Sequence, residues 1–264
     1  MKIAIIGAGN LGLSIATGIL HSGGATTMYL TRRNLDPIRE FESYGNVHIT
    51  SDNREAVAAS DILIFTVQPG HFSAILESVK DLLHDNHVII STITGYRISK
   101  MEEILGADRH LIRAMPNTAI AVGRSMTCIC SNEKGKKRLE LAGAIFNRMG
   151  HYMVIPESQM QAATVICASG IAFWMRLIRA TTQGAIQLGF DAHEAQELAM
   201  HTCAGAAELL ISSGNHPEEE IDRVTTPMGC TIEGLNEMEH QGLSSSLIRG
   251  IVTSYDKISQ IRKG

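Results

Sequence analysis

The sequence is poor in the features that mark secreted, membrane-spanning or nucleic-acid-binding chains. Its five cysteines are odd in number and irregularly spaced, so no disulfide framework is expected. Cys128 and Cys130 share one strand-like stretch, where they are expected on opposite faces and therefore not as half of a metal clip. No apolar run approaches the roughly 18 residues that span a bilayer. The N-terminus enters a strand-like run, Lys2–Ile6, directly, without the marks of a secretory signal. Net charge is −4, and the densest basic run, Lys134 to Arg138, is broken by Gly135. Binding a phosphate backbone would require a clustered basic surface. A cytoplasmic protein is expected, with neither membrane nor nucleic acid as partner. The motifs HExxH and GxSxG are also missing, so no metal and no acyl-transfer serine are expected.

What is present is a regular alternation. Candidate strands cover residues 2–6, 27–30, 47–49, 62–67, 87–91, 110–113, 125–130 and 152–155. Amphipathic stretches lie between them, at 11–20, 35–44, 72–83 and 134–149. Strands alternating with helices of 10–15 residues imply right-handed crossovers and a mostly parallel, doubly wound sheet. After Pro156 strand signals vanish, and helical patterns run over 157–188, 193–212, a stretch after the Pro227–Gly229 turn, and 243–261. The first is nearly apolar all round, and such a helix needs cover from several sides. The expected fold is therefore α/β: an N-terminal Rossmann domain over residues 1–155, followed by an all-α dimerisation and substrate-binding domain over 156–264.

The first chemical motif is Gly7-Ala8-Gly9-Asn10-Leu11-Gly12, directly after a strand and opening a helix. Gly7 permits the tight turn, Gly9 the approach of a pyrophosphate, and Gly12 close helix–strand packing. The N–H groups that begin the helix, at Asn10 and Leu11, would face the phosphates. Dinucleotide enzymes that use NAD usually carry a carboxylate at the end of the second strand. Here that position reads Leu30-Thr31-Arg32-Arg33-Asn34, with no carboxylate before Asp36. Guanidinium groups bind a 2′-phosphate bidentately, so NADPH is expected over NADH, with Thr31, Arg32 and Arg33 as its ribose-phosphate site. Ligands of open parallel sheets sit beyond the carboxyl ends of strands. Val67-Gln68-Pro69 and Thr94-Gly95 are thus expected beside the adenosine ribose and the nicotinamide.

The order GxGNxG, then a strand-end Val-x-Pro, then Arg113-Ala114-Met115-Pro116-Asn117-Thr118, resembles the pyrroline-5-carboxylate reductase family. That family continues with Ser-Gly-Pro-Ala-Tyr in a long helix and Thr-Ser-Pro-Gly-Gly-Thr-Thr-Ile before another. The corresponding residues are Ser169-Gly170-Ile171-Ala172-Phe173 and Thr225-Thr226-Pro227-Met228-Gly229-Cys230-Thr231-Ile232. The resemblance implies NADPH-dependent reduction of 1-pyrroline-5-carboxylate to L-proline, and an intertwined homodimer that often assembles into a ring of dimers. It implies a cofactor role for Met115, Pro116 and Asn117. It places Ser169, Gly170, Met228, Gly229 and Cys230 around the substrate, and the catalytic hydroxyl of Thr231 near the imine nitrogen. Five positions depart from the family pattern. Gln68 stands for a lysine, Ala119 and Ile171 for prolines, Met228 for a glycine and Cys230 for a threonine. Met228 is expected to add bulk in the substrate pocket and to remove a position free to adopt positive φ.

Three other readings are weighed on the same residues. A β-hydroxyacid dehydrogenase would need a lysine on its central helix, but residues 138–256 contain none. The altered substrate motif instead allows an imine reductase for another ring, or a dinucleotide-binding protein without catalysis.

Overall fold

The structure, a computed structural model, describes Met1–Ile261. Eight strands form one sheet: β1 (Lys2–Ile6), β2 (Thr27–Thr31), β3 (Val47–Thr50), β4 (Ile62–Phe65), β5 (Val88–Ser91), β6 (His110–Met115), β7 (Ser125–Ser131) and β8 (Gly150–Val154). Their spatial order is β3-β2-β1-β4-β5-β6-β7-β8. All neighbours are parallel except β6 and β7, which meet antiparallel with Arg113 opposite Cys130. Each expected strand is present, with its ends within two residues of the expected ones.

Helices cover both faces of this sheet because its strands are apolar on both sides. On β1, Ile3 and Ile5 join one buried cluster with Ile15 and Ile19 of helix α1 (Asn10–His21). Helix α5 (Leu139–Asn147) adds Ile145 and Phe146. The alternate residues Ala4 and Ile6 join the opposite cluster, with Phe72 and Leu76 of α3 (Pro69–Val79) and Met101 of α4 (Ile98–Leu105). Each of these larger side chains contributes about 1.5–3 kcal/mol by leaving water. The period of two along a strand sends neighbours to different clusters. The same period corrects the expectation for the cysteines: Cys128 and Cys130 both lie in the second cluster, and Ile129 between them lies in the first. Residues two apart share a face.

Two sequence expectations for the helices also change. Residues Asp36–Tyr44 wind as 3₁₀ turns ending at Gly45 with φ 62°, and a short helix, α2 (Asn53–Ala58), follows β3. After Pro156, one helical run extends over Glu157–Gln187. It passes through a 3₁₀ turn, the short α6 (Met160–Ala163), a π-helical stretch Thr164–Ser169, and α7 (Gly170–Gln187). An 18-residue window of this run has a mean hydropathy of 1.4, enough to cross a membrane by length and composition, with 22% of it buried within the chain. That corrects the expectation that no such run exists. Serines, threonines and glutamines interrupt the apolar letters, but after Glu157 only Arg176 and Arg179 in this run are charged.

The chain divides by compactness into Met1–Ser169 with the segment from Lys257, and Gly170–Asp256. In the second unit α7 packs on α8 (Ala192–Ser213) through a short connection capped by Asp191, whose Oδ1 accepts from His193 N and Glu194 N at 2.8 and 2.9 Å. Ala195 and Ala199, one turn apart, are buried on α8. Two further helices follow, α9 (Pro217–Val224) and α10 (Cys230–His240), and α11 (Leu243–Ile261) ends the described residues. This unit leaves Trp174, Met175, Leu209, Ile211, Ile248 and Val252 more than half exposed. Large apolar side chains left this exposed on three helices suit an interaction face.

Candidate active site

A cleft of about 630 Å³ opens across the carboxyl ends of β1, β2, β3 and β4. It lies where the chain reverses its direction of winding, since β2 and β4 flank β1 on opposite sides. Gly7, Gly9, Thr31, Arg32, Arg33, Val67 and Gln68, all expected from the sequence, line it. No carboxylate does.

The glycine turn is held rigidly. Thr31 O accepts from Ala8 N at 2.7 Å, Thr31 Oγ1 accepts from Gly7 N at 3.2 Å, and Thr66 Oγ1 donates to Gly7 O at 2.6 Å. Gly7 has φ 99°, a conformation that favours glycine. A Cβ on Gly12 would lie 2.7 Å from both Gly7 O and Thr66 Oγ1, so Gly12 serves close packing. A Cβ on Gly9 would meet nothing within 4 Å. That open space, beside a helix N-terminus with no side-chain cap and no acidic residue in its first turn, fits a pyrophosphate.

The two arginines differ in a way the sequence did not show. Arg32 Nη1 donates to Ala8 O at 3.1 Å and is thereby committed to the turn itself. Arg33 is exposed and has no hydrogen bond or ion pair among the described residues. Thr31 is likewise engaged, donating from Oγ1 to Asn53 Oδ1 at 2.7 Å. Ser51, Asn53, Thr66, His71, Ala74 and Ile75 also line the cleft and were missed from the sequence. The signal for three of them was available: positions 71, 74 and 75 follow the i, i+3, i+4 spacing of one helix face.

Asn10, Leu11 and Gly12 open α1 behind the turn, and Pro69 begins α3 after Gln68. Thr94 and Gly95, the latter at φ 77°, follow β5; Met115 ends β6 and Pro116 is buried after it. None of these lines the cleft. Asn117 is fully engaged: Oδ1 accepts from Ala119 N at 3.0 Å and Nδ2 donates to Cys167 O at 2.9 Å. The first of these bonds requires a backbone N–H at 119, which the family's proline would not supply.

The remaining candidates fall in two places. Ser169, half-buried, and Gly170, buried, mark the junction from π-helix to α7. Met228, Gly229, Cys230 and Thr231 form a turn and the first residues of α10. Gly229 N donates to Thr226 O at 2.9 Å, closing a four-residue turn around Pro227 and Met228. Met228 has φ 58°, the one positive φ outside glycine among the described residues, and it is 95% exposed within the chain. The expectation that methionine gives up the positive φ is corrected: the turn keeps it, and Met228 bears the strain. Cys230 and Thr231 are exposed at an N-terminus that no side chain caps.

Over residues 157–261 the chain matches the model described as pyrroline-5-carboxylate reductase dimerisation. Over 2–95 it matches that of the NADP oxidoreductases, coenzyme F420-dependent. It is 43% identical to pyrroline-5-carboxylate reductase 2 of Dictyostelium discoideum, covering 98% of this chain and 92% of that one. The chain belongs to the pyrroline-5-carboxylate reductase family. Pyrroline-5-carboxylate reductase 1 of the same organism is also 43% identical across 98% of this chain, which spans 49% of that longer protein. Among solved structures, the pyrroline-5-carboxylate reductase of Coxiella burnetii superposes with a TM-score of 0.92 at 27% identity, covering 100% of this chain and 99% of that one.

Proposed function

We propose that this chain reduces 1-pyrroline-5-carboxylate to L-proline with NADPH, acting as a cytoplasmic homodimer. The observation that carries the cofactor is the cleft at the glycine turn, lined by Arg32 and the unpaired Arg33 and by no carboxylate. When bound, the nicotinamide supplies a hydride to the carbon of the C=N bond. Gly7, Gly9 and the N–H groups of Asn10, Leu11 and Gly12 would hold the pyrophosphate, and Arg33 the 2′-phosphate, while Arg32 holds the loop. Val67, Gln68, Pro69, Thr94, Gly95, Met115 and Pro116 are assigned to the same cofactor, with Asn117 positioning the segment that follows.

The residues of the helical half would hold the substrate. A cyclic imine is protonated far more readily than a ketone, so the protein's task is orientation and exclusion of water. The free N–H groups that begin α10, at Cys230 and Thr231, suit a carboxylate. The Thr231 hydroxyl is assigned to the imine nitrogen, and Ser169, Gly170, Met228 and Gly229 to the pocket wall. Residues 1–155 are assigned to the cofactor and 156–264 to substrate and dimer. The apolar surface at Trp174, Leu209 and Ile248 is the face that the dimer would cover.

Steady-state oxidation of NADPH is the decisive assay, run with pyrroline-5-carboxylate, its six-membered homologue and several 2-keto acids. Preference for the five-membered imine supports the reading. Preference for the homologue favours an imine reductase for another ring, and NADPH binding without turnover a protein that has lost catalysis. Sedimentation distinguishes a dimer from a ring of dimers.

A further inference from the structure

Two cysteines meet where the π-helical stretch rests on the sheet, and a third lies nearby on the same strand. Cys167 lies within Thr164–Ser169, and its Sγ stands 3.9 Å from Sγ of Cys128 on β7, 39 residues earlier. Cys128 is buried, whereas Cys167 is half-buried and reachable from solvent. Both pack in the same apolar cluster. Cys130 shares the face of Cys128 but is buried and has no sulfur contact among the described residues.

We propose that Cys128 and Cys167 form a redox-active dithiol, which a hydroperoxide converts to an intrachain disulfide. Closing the 3.9 Å gap to a bond of about 2.05 Å calls for side-chain rotation and a small backbone shift. A π-helical turn, unlike a regular α-helix, has a local alternative winding that can supply such a shift. The roles of the two sulfurs are distinct. The contact with Cys128 holds the Cys167 thiol below the ordinary thiol range, and Cys167 is also the more exposed of the two. The same contact, with burial, raises Cys128 above the ordinary thiol range. Cys130 is pushed up to about 11 by burial and stays a thiol.

The chemistry balances without metal or cofactor. The Cys167 thiolate attacks the terminal peroxide oxygen, forming a sulfenic acid, and the departing oxygen takes a proton to leave as water or an alcohol. The Cys128 sulfur then attacks the sulfenic sulfur, the S–S bond forms, and a second water leaves with the Cys128 proton. Two thiols are oxidised and one peroxide is reduced. A thiol such as dithiothreitol reverses the bond by exchange.

The test treats the full-length protein with hydrogen peroxide, blocks free thiols, and maps the tryptic peptides 125–134 and 149–176 by tandem mass spectrometry. The expected product is these two peptides joined through Cys128 and Cys167, lighter by two hydrogens and separated by dithiothreitol. The link persists in Cys130→Ser and disappears in Cys167→Ser. Sulfinic or sulfonic acid at Cys167 without a cross-link would overturn the proposal. So would a link through Cys130, Cys203 or Cys230 in its place. The wild-type map decides the matter even if a variant fails to fold.

Discussion

Arg113, buried in the middle of β6, donates from Nη1 to Glu157 Oε1 at 2.8 Å, joining the sheet to the first residue of the long helical run. The same oxygen accepts from Ile98 N at 2.7 Å and so caps α4. One carboxylate thus fixes three elements. The side chain of Arg113 is 4% exposed and that of Glu157 32%, so losing either partner leaves the two unequally stranded. Removing one member of a fully buried pair costs about 3–5 kcal/mol. Partial hydration of Glu157 lowers the expected figure. Glu157→Ala should destabilise by about 2 kcal/mol in urea unfolding, and Arg113→Met with Glu157→Leu should recover most of that. Equal stability of Glu157→Ala and wild type would show the pair to be idle.

Arg33 supplies the free guanidinium of the cleft, and charge-assisted hydrogen bonds contribute about 1.5–3 kcal/mol. Arg33→Glu should therefore raise the Michaelis constant for NADPH by roughly ten- to a hundredfold, with little change for NADH. Parallel changes for both nucleotides would remove the 2′-phosphate assignment. Arg32→Ala, which releases Ala8 O, should weaken both nucleotides together.

Gly9 and Gly12 separate binding from folding. Open space surrounds a Cβ on Gly9, so Gly9→Ala should retain the melting temperature while weakening NADPH binding. A Cβ on Gly12 collides with Gly7 O and Thr66 Oγ1, so Gly12→Ala should cost about 1–3 kcal/mol of stability. Calorimetry and fluorescence titration on both variants check the contrast. It fails if the two behave alike.

Met228 holds φ 58° in a turn whose third position favours glycine. An L side chain there costs about 1–2 kcal/mol, against roughly 0.5–1 kcal/mol for the added freedom of an unfolded glycine. Met228→Gly should be as stable as wild type or about 1 kcal/mol better, and Met228→Val worse than both. A large loss on Met228→Gly would mean that the methionine side chain has a packing role.

His87 connects stability to pH. Its Nδ1 accepts from His84 N at 3.1 Å, which leaves Nε2 to donate to Ser60 O at 2.9 Å. Burial, and then the neighbouring His84, hold it below its ordinary value. The native state thus prefers the neutral ring, while the unfolded chain takes up a proton near pH 6.5. The stability is complete above that pH and declines as pH falls through it toward the native value. Unfolding free energies between pH 7.5 and 5 should fall less steeply in His87→Gln than in wild type; identical slopes would exclude the linkage.

Local chemistry was enough to reveal the eight strands, the glycine turn and the long helices, because two- and 3.6-residue periods and glycine's freedom at Gly7 act over a few residues. Which neighbour each strand takes, and the antiparallel entry of β7, depend on contacts between distant segments. The sequence placed Arg32 and Arg33 side by side as equals. Only folding brings Ala8 O within reach of one and leaves the other free. Cys128 and Cys167 stand far apart along the chain, and nothing in their spacing signals that a π-turn sets their sulfurs face to face. Met228, read from the letters as incompatible with a left-handed turn, occupies one because the Thr226–Gly229 hydrogen bond and the start of α10 outweigh the strain at a single residue.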